Sequence, residues 1–269
     1  MQTIDRGLAT TTTTPEIGLS VVIPAYNEER RLEGALDDAF DYLATYPDPW
    51  EVLVVDDGSR DGTADIVRAW QREHPELTGL TLPSNRGKGE AVRQGLLAAR
   101  GRYRLFLDAD RSIPLAAFER FRPHLAAGAP VVVGIRVPSE AELAQRRAAV
   151  RRLLGRGFTL LCRAVLAPGI RDYTCGFKCF SADAAREILA RQTIRGWAFD
   201  AELLYLAVRL GYPVVQEPVP WRHDPGSRVR VAVDLVRSLG EVTSIRTNAA
   251  LGRYRLPGRA AGRAWSAPR

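Results

Sequence analysis

Asp108 and Asp110 stand two residues apart, directly after the apolar run 103–107. In extended backbone, side chains at that spacing point to the same side. The pair can therefore offer hard oxygen ligands to Mg²⁺ or Mn²⁺, which commonly combine one or two carboxylates with phosphate oxygens. A turn or helix cap ahead of Pro114 is the rival reading of the same residues. A second acidic pair, Asp56-Asp57, closes the apolar run 51–55 and precedes Gly58, where a plain turn is again the alternative. Lys88, bracketed by Gly87 and Gly89, can reach a phosphate or stand solvated at a helix start. Arg147 and Arg151 are four apart and share one face of any helix that carries them. Ion pairs with Glu140 or Glu142 are their alternative use. Cys175 and Cys179 lack a matching His or Cys pair, so a zinc site is not expected.

These side chains need a scaffold. Short apolar runs at 19–23, 51–55, 80–82, 103–107 and 130–133 read as buried strands. Between them, 28–45 places Leu32, Leu36, Phe40 and Leu43 at helical spacing. Further helices are expected up to residue 73, capped by Asp61 or Thr63, over 90–99, and from Pro114 to 125. This alternation predicts a parallel, doubly wound sheet. Such sheets bind ligands at the carboxyl ends of their strands. One crevice is thus expected, lined by 26–28, 56–57, 86–89 and 108–110. After Ile135 the rhythm changes. One or two arginine-dense helices are expected over 139–166, a strand or loop over 172–180 and a helix over 198–210. An edge strand at 212–221 and a helix over 229–248 follow.

The chain has 269 residues, with 38 Lys and Arg against 31 Asp and Glu, for a net charge of +7. Lys88 and Lys178 are the only lysines; the rest of the 38 are arginines. A hydrophobic share of 46% excludes wholesale disorder. The best candidate for a membrane span, 157–167, is short and broken by Arg163. The N-terminal stretch lacks the apolar core of a secretory signal, and the three cysteines suit reduced cytoplasmic thiols. The positive charge invites nucleic acid, an anionic membrane or phosphate-bearing small molecules. Without an aromatic-basic stacking motif or a zinc finger, nucleic acid is not an expected partner.

Four segments, in order, resemble inverting family 2 glycosyltransferases: Leu19 to Glu29, Val54 to Thr63, Asn85 to Ala91, and Leu107 to Asp110. The resemblance implies an α/β GT-A fold, a doubly wound, mostly parallel sheet with flanking helices. It implies one catalytic domain over 18–250, between a flexible leader (1–17) and a basic tail (251–269). Pro24, Ala25, Tyr26 and Glu28 would surround the nucleoside of a nucleotide sugar. Asp56 would meet its base or ribose, Lys88 a phosphate, and Asp108 and Ala109 the nucleotide. Asp108 and Asp110 would hold Mg²⁺ or Mn²⁺.

The segments Gly169 to Phe180 and Gly196 to Tyr205 are similar to polyprenyl-phosphate glycosyltransferases, most of all the dolichyl-phosphate glucosyltransferase branch, with the mannose synthases close by. This implies hexose transfer from UDP-glucose or GDP-mannose to a polyprenyl phosphate, with Asp110, Asp200 and Arg136 in catalysis. Arg136, Arg147, Arg151 and Arg222 would hold the acceptor phosphate. Asp200 has three readings: a base toward a soluble hydroxyl acceptor, a contact to donor sugar hydroxyls, or a helix cap. The helices near 146–166 and 229–248 are expected either on the inner face of an anionic membrane, with arginine stems snorkelling, or packed on the sheet or a dimer partner. Nothing in the sequence signals an oligomeric state.

Overall fold

A computed structural model describes residues 16–138, 146–222 and 231–255. Strand β1 (Leu19–Ala25) is buried along its whole length, as a strand covered on both faces requires. Helix α1 (Leu32–Leu43) follows, burying Leu32, Ala35, Leu36, Ala39 and Leu43 along one stripe. Next come β2 (Trp50–Asp56), α2 (Thr63–Glu73), β3 (Leu77–Thr81), α3 (Lys88–Ala98) and β4 (Tyr103–Leu107). A 3₁₀ turn at Leu115–Arg120 leads into the short α4 (Arg122–Ala126) and then β5 (Val131–Pro138). The second half contains α5 (Arg146–Val165), β6 (Phe177–Ser181), α6 (Ala182–Leu189), α7 (Phe199–Arg209), β7 (Val214–Trp221) and α8 (Val231–Ala250).

The seven strands lie in the order β3-β2-β1-β4-β6-β5-β7. β1 pairs in parallel with β2 and β4, β2 with β3, and β5 with β7. Among the described strands only β6 runs against its neighbours, wedged between β4 and β5. The chain winds outward from β1 through β2 to β3, then returns to start β4 on the other side of β1. That reversal opens a crevice at the carboxyl ends of β1 and β4. Two apolar cores cover the two sheet faces, one centred on Val22, Phe106 and Tyr205, the other on Val21, Leu105 and Phe121.

Several expectations shift. β3 starts at Leu77, ahead of the expected 80–82, because the Glu76 carbonyl already accepts from Val52 N–H. The single helix expected after Pro114 splits into the 3₁₀ turn and α4, where Pro123 has no N–H to donate. Gly62, not Asp61 or Thr63, caps α2, without a side-chain bond. Pro218 and Pro220 are accommodated because β7 is an edge strand, bonded to β5 alone. The basic tail does not begin loose at 251: Tyr254 is buried, and its hydroxyl donates to Glu202 at 2.7 Å. Most of the expected leader lies outside the described residues. Among the described residues, no helix is long and apolar enough to cross a membrane.

Candidate active site

The loops after β1, β2 and β3 are bound to each other by short side chains. Asn27 adopts φ 56°, a conformation asparagine tolerates. Its N–H donates to Ser59 Oγ at 2.9 Å, and its Oδ1 accepts from Arg60 N–H at 2.8 Å. Glu28 N–H donates to Thr63 Oγ1 at 2.8 Å, which gives Thr63 a role other than the expected cap. Asp56 is buried and accepts from Ser59 N–H at 2.9 Å. Asp57 does more than the sequence suggested: its two oxygens accept from the N–H groups of Arg86 and Gly87, both at 2.8 Å. Burial raises its carboxyl pKa, and those two bonds offset only part of the rise. Pro24 and Ala25 are buried strand positions, and the Ala25 carbonyl is taken up within the sheet, accepting from Asp57 N–H at 2.8 Å. Tyr26 is exposed, whereas Glu28 is paired with Arg31 at 2.6 Å.

Lys88 opens α3 and reaches across the crevice to Asp108, Nζ to Oδ1, at 2.6 Å. Gly87 makes this possible: its φ is +102°, and a Cβ there would lie 2.5 Å from the Arg195 carbonyl oxygen. Burial lowers the Lys88 pKa, but Asp108, Asp200 and Asp110 more than reverse this, so the ammonium is held charged. The Asp108 carboxylate lies against Gly176, where a Cβ would come within 2.3 Å of Oδ2. Asp110 Oδ1 accepts from Ser112 N–H at 2.9 Å, so the turn suggested as its alternative is present. Ala109 between them is buried.

A divalent cation fits the chemistry of this donor set. Asp108 and Asp110 supply hard oxygens at a strand end, and the Asp108 carboxylate already takes a cationic partner in Lys88. Among the described residues no group of three or more His, Cys, Asp or Glu could hold a metal ion. The remaining ligands would have to be substrate phosphate and water.

The second half adds two ion pairs. Arg136 on β5 donates to Asp172 through Nε at 2.8 Å and Nη2 at 2.9 Å, and Nη2 also reaches Thr174 Oγ1 at 2.6 Å. Burial acts to raise the Asp172 pKa, but Arg136 and Lys178 pull it below the ordinary value. Lys178 on β6 is wholly buried and meets Asp200 Oδ1 at 2.6 Å and the Cys175 carbonyl at 2.5 Å. Asp200 therefore lies in the first turn of α7 without capping it, which corrects the cap reading. Burial raises its pKa, and Lys178 and Lys88 offset only part of this. Its negative charge favours the charged forms of both Lys88 and Arg136. Arg222 is exposed, and its N–H donates to the Ser112 carbonyl at 2.9 Å, beside the Asp110 turn. Arg147 and Arg151 fall on α5, outside the residues whose side chains are described. Lys178 and Asp172 were missed as site residues; the one signal for Lys178 was its rarity, as one of two lysines in an arginine-rich chain.

Residues 20–189 match the family model described as glycosyl transferase family 2. The chain belongs to that family. Relatives named dolichyl-phosphate beta-glucosyltransferase share 34% identity over 252 residues in Dictyostelium discoideum, covering 89% of this chain and 77% of the relative. The Drosophila melanogaster relative of that name is 38% identical, covering 80% of this chain and 70% of its own length, and the human one is 36% identical over the same shares. Glucosyl-3-phosphoglycerate synthase from Mycobacterium tuberculosis, crystallised with Mn²⁺, UDP-glucose and phosphoglyceric acid, superposes with a TM-score of 0.64 at 22% identity, covering 90% of this chain and 81% of its own. That likeness bears out the expected GT-A fold. The relatives' names support a polyprenyl-phosphate glycosyltransferase of the glucosyl type. The mannosyl alternative, with GDP-mannose, gains no support from them.

Proposed function

We propose that this family 2 enzyme transfers glucose from UDP-glucose to a polyprenyl phosphate of the dolichyl kind, with inversion at the anomeric carbon. The observation that carries the choice of acceptor is the state of Asp200. Its side chain is 6% exposed and held by Lys178 at 2.6 Å, so it is poorly placed to take a proton from an incoming hydroxyl. A phosphate acceptor needs no such base, because its oxygen arrives as an anion. In-line attack forms the bond from that oxygen to C1. The bond from C1 to the donor diphosphate breaks, and its electron pair leaves with the diphosphate.

The chain's own part is to bring two anions together. Arg136, oriented by Asp172, holds the acceptor phosphate, with Arg222, Arg147 and Arg151 as its further candidate ligands. Lys88 meets the departing diphosphate, and Asp56 and Tyr26 hold the nucleoside. Asp108 and Asp110 would hold Mg²⁺ or Mn²⁺, which neutralises charge developing on the leaving group. Asp200 fixes Lys178 and the donor end of the cleft. Contact with an anionic membrane surface through α5 and α8 would present the lipid; Leu160 on α5, 68% exposed, suits that contact.

The test is to supply purified protein with UDP-glucose or GDP-mannose, with Mg²⁺ or Mn²⁺, and with either a short polyprenyl phosphate or phosphoglyceric acid. Mass spectrometry should find glucosyl-phosphoryl-polyprenol from UDP-glucose. Product on phosphoglyceric acid alone would transfer the reading to a hydroxyl acceptor.

A further inference from the structure

Lys88 stands on a loop that glycines let press against the segment 195–199. A Cβ at Gly87 would lie 2.5 Å from the Arg195 carbonyl oxygen, and one at Gly89 would lie 2.5 Å from Cβ of Phe199. The contact is also hydrogen-bonded. Gly89 N–H donates to the Arg195 carbonyl at 2.8 Å, and the Gly89 carbonyl accepts from Gln192 Nε2 at 2.9 Å. The rings of Trp197 and Phe199 lie 5.6 and 5.9 Å from Lys88 Nζ. Where the ammonium sits therefore depends on where this segment sits.

The segment has its own supports. Upstream, Thr193 and Ile194 donate their N–H groups to Glu202 of α7 at 3.0 and 2.8 Å. Its middle rests on one residue of α8. Glu241 Oε2 accepts from the N–H of Ala198, the residue just before α7, at 2.7 Å. Gly196 lies directly against the same carboxylate, because a Cβ there would fall 1.9 Å from Glu241 Oε1. A carboxylate accepting from a backbone N–H makes a stronger bond than a neutral acceptor would. The Lys88 loop, the 195–198 backbone and Glu241 are thus stacked in that order, with glycines at both contacts.

We propose that Glu241 is a positioning residue for Lys88. From α8 it fixes the 195–198 backbone, and that backbone holds the ammonium where the donor diphosphate meets it. This rests on the glucosyl-transfer reading above, which gives Lys88 to the diphosphate, and it adds the support that sets the lysine in place. Glu241 touches neither substrate, so its influence must pass through Lys88. A residue that only stabilised the fold would act whether or not Lys88 were present.

The test is a double-mutant cycle on the affinity for UDP with Mg²⁺, read by calorimetry in wild type, Glu241→Ala, Lys88→Met and the double variant. Glu241→Ala should raise the Kd for UDP by about threefold to tenfold, the range of one lost hydrogen bond. In the Lys88→Met background the same change should move that Kd by less than about twofold, as expected of two residues acting through one contact. Glu241→Gln keeps an oxygen that can accept from Ala198 N–H and should restore most of the affinity. Gly196→Ala, which displaces the carboxylate, should weaken UDP as Glu241→Ala does, and should add little to it once the carboxylate is gone. This second variant carries the test if Glu241→Ala does not fold. KM for the polyprenyl phosphate should stay at the wild-type value in every folded variant. An unchanged Kd in Glu241→Ala, the same loss in both backgrounds, or a matching rise in the lipid KM would each overturn the proposal. A wild type that binds neither UDP nor UDP-glucose would remove the proposed function and this inference with it. UDP binding with an additive cycle would remove the inference alone.

Discussion

Lys88 and Lys178 each meet a carboxylate at 2.6 Å, yet the side chains of the Lys88–Asp108 pair keep 21% and 31% exposure, and those of Lys178–Asp200 keep 0% and 6%. The first pair bridges two loops at the mouth of the sheet. The second is sealed between β6 and α7, beside the Phe106 ring at 5.5 Å. A pair in contact with water has little net worth and can exchange partners. A sealed pair cannot, because parting it would strand a charge away from solvent. Under the proposed function, the difference separates the groups that would meet the donor and its metal from the groups that would shape the cleft. A compact ammonium suits both places better than a guanidinium fork, which is consistent with the chain's only two lysines lying here.

Breaking the open side should have the largest effect on turnover. Asp110→Ala should cut metal-dependent transfer by about a thousandfold, since charge neutralisation on the leaving group is worth several kcal/mol. Chelating the metal from wild type should reproduce that loss, and normal turnover in the variant would remove Asp110 from the site. On the sealed side the damage should appear first in stability. Lys178→Met should cost about 3–5 kcal/mol in urea unfolding by leaving Asp200 buried and unpaired. Lys178→Met combined with Asp200→Leu should recover much of that stability without recovering transfer.

Arg136 lies between these extremes, partly exposed and held by Asp172. Arg136→Ala should raise KM for the polyprenyl phosphate by about tenfold to a hundredfold, as expected when a charged hydrogen bond to phosphate is lost. Donor hydrolysis without acceptor should hardly change; equal losses in both would count against an acceptor role. A smaller effect, about 1 kcal/mol, is expected for Tyr254→Phe, which removes one buried hydrogen bond to Glu202. Thermal unfolding would detect it. The mildest contrast is with pH. Asp172 has a folded pKa below its unfolded value. Its contribution to stability is therefore present above about pH 4 and is lost as pH falls through the folded value. Asp172→Asn should flatten that acid limb in a denaturation series.

Much of the donor side was legible because its information is local. Asp56, Lys88, Asp108 and Asp110 follow apolar strands or sit between glycines, and a parallel sheet carries such strand ends to one edge. The second half was less legible. Asp172 sits 36 residues beyond Arg136, and Tyr254 lies 52 residues beyond Glu202. No periodicity links partners so far apart. Asp200 illustrates the limit: its place near a helix start allowed a cap, and only the family resemblance added a base or a sugar contact.

The order of strands and acids along the chain was enough to set the fold class and to bring the acids to one edge of the sheet, the edge that the proposed function gives to a nucleotide sugar, since both follow from short-range patterns of apolar and polar residues. Which carboxylates stay open and which are sealed was decided only in three dimensions. β6 enters the sheet antiparallel between β4 and β5 and carries Lys178 beneath α7. Burial and charge pairing depend on what lies across the fold, and that is a property of the packed molecule.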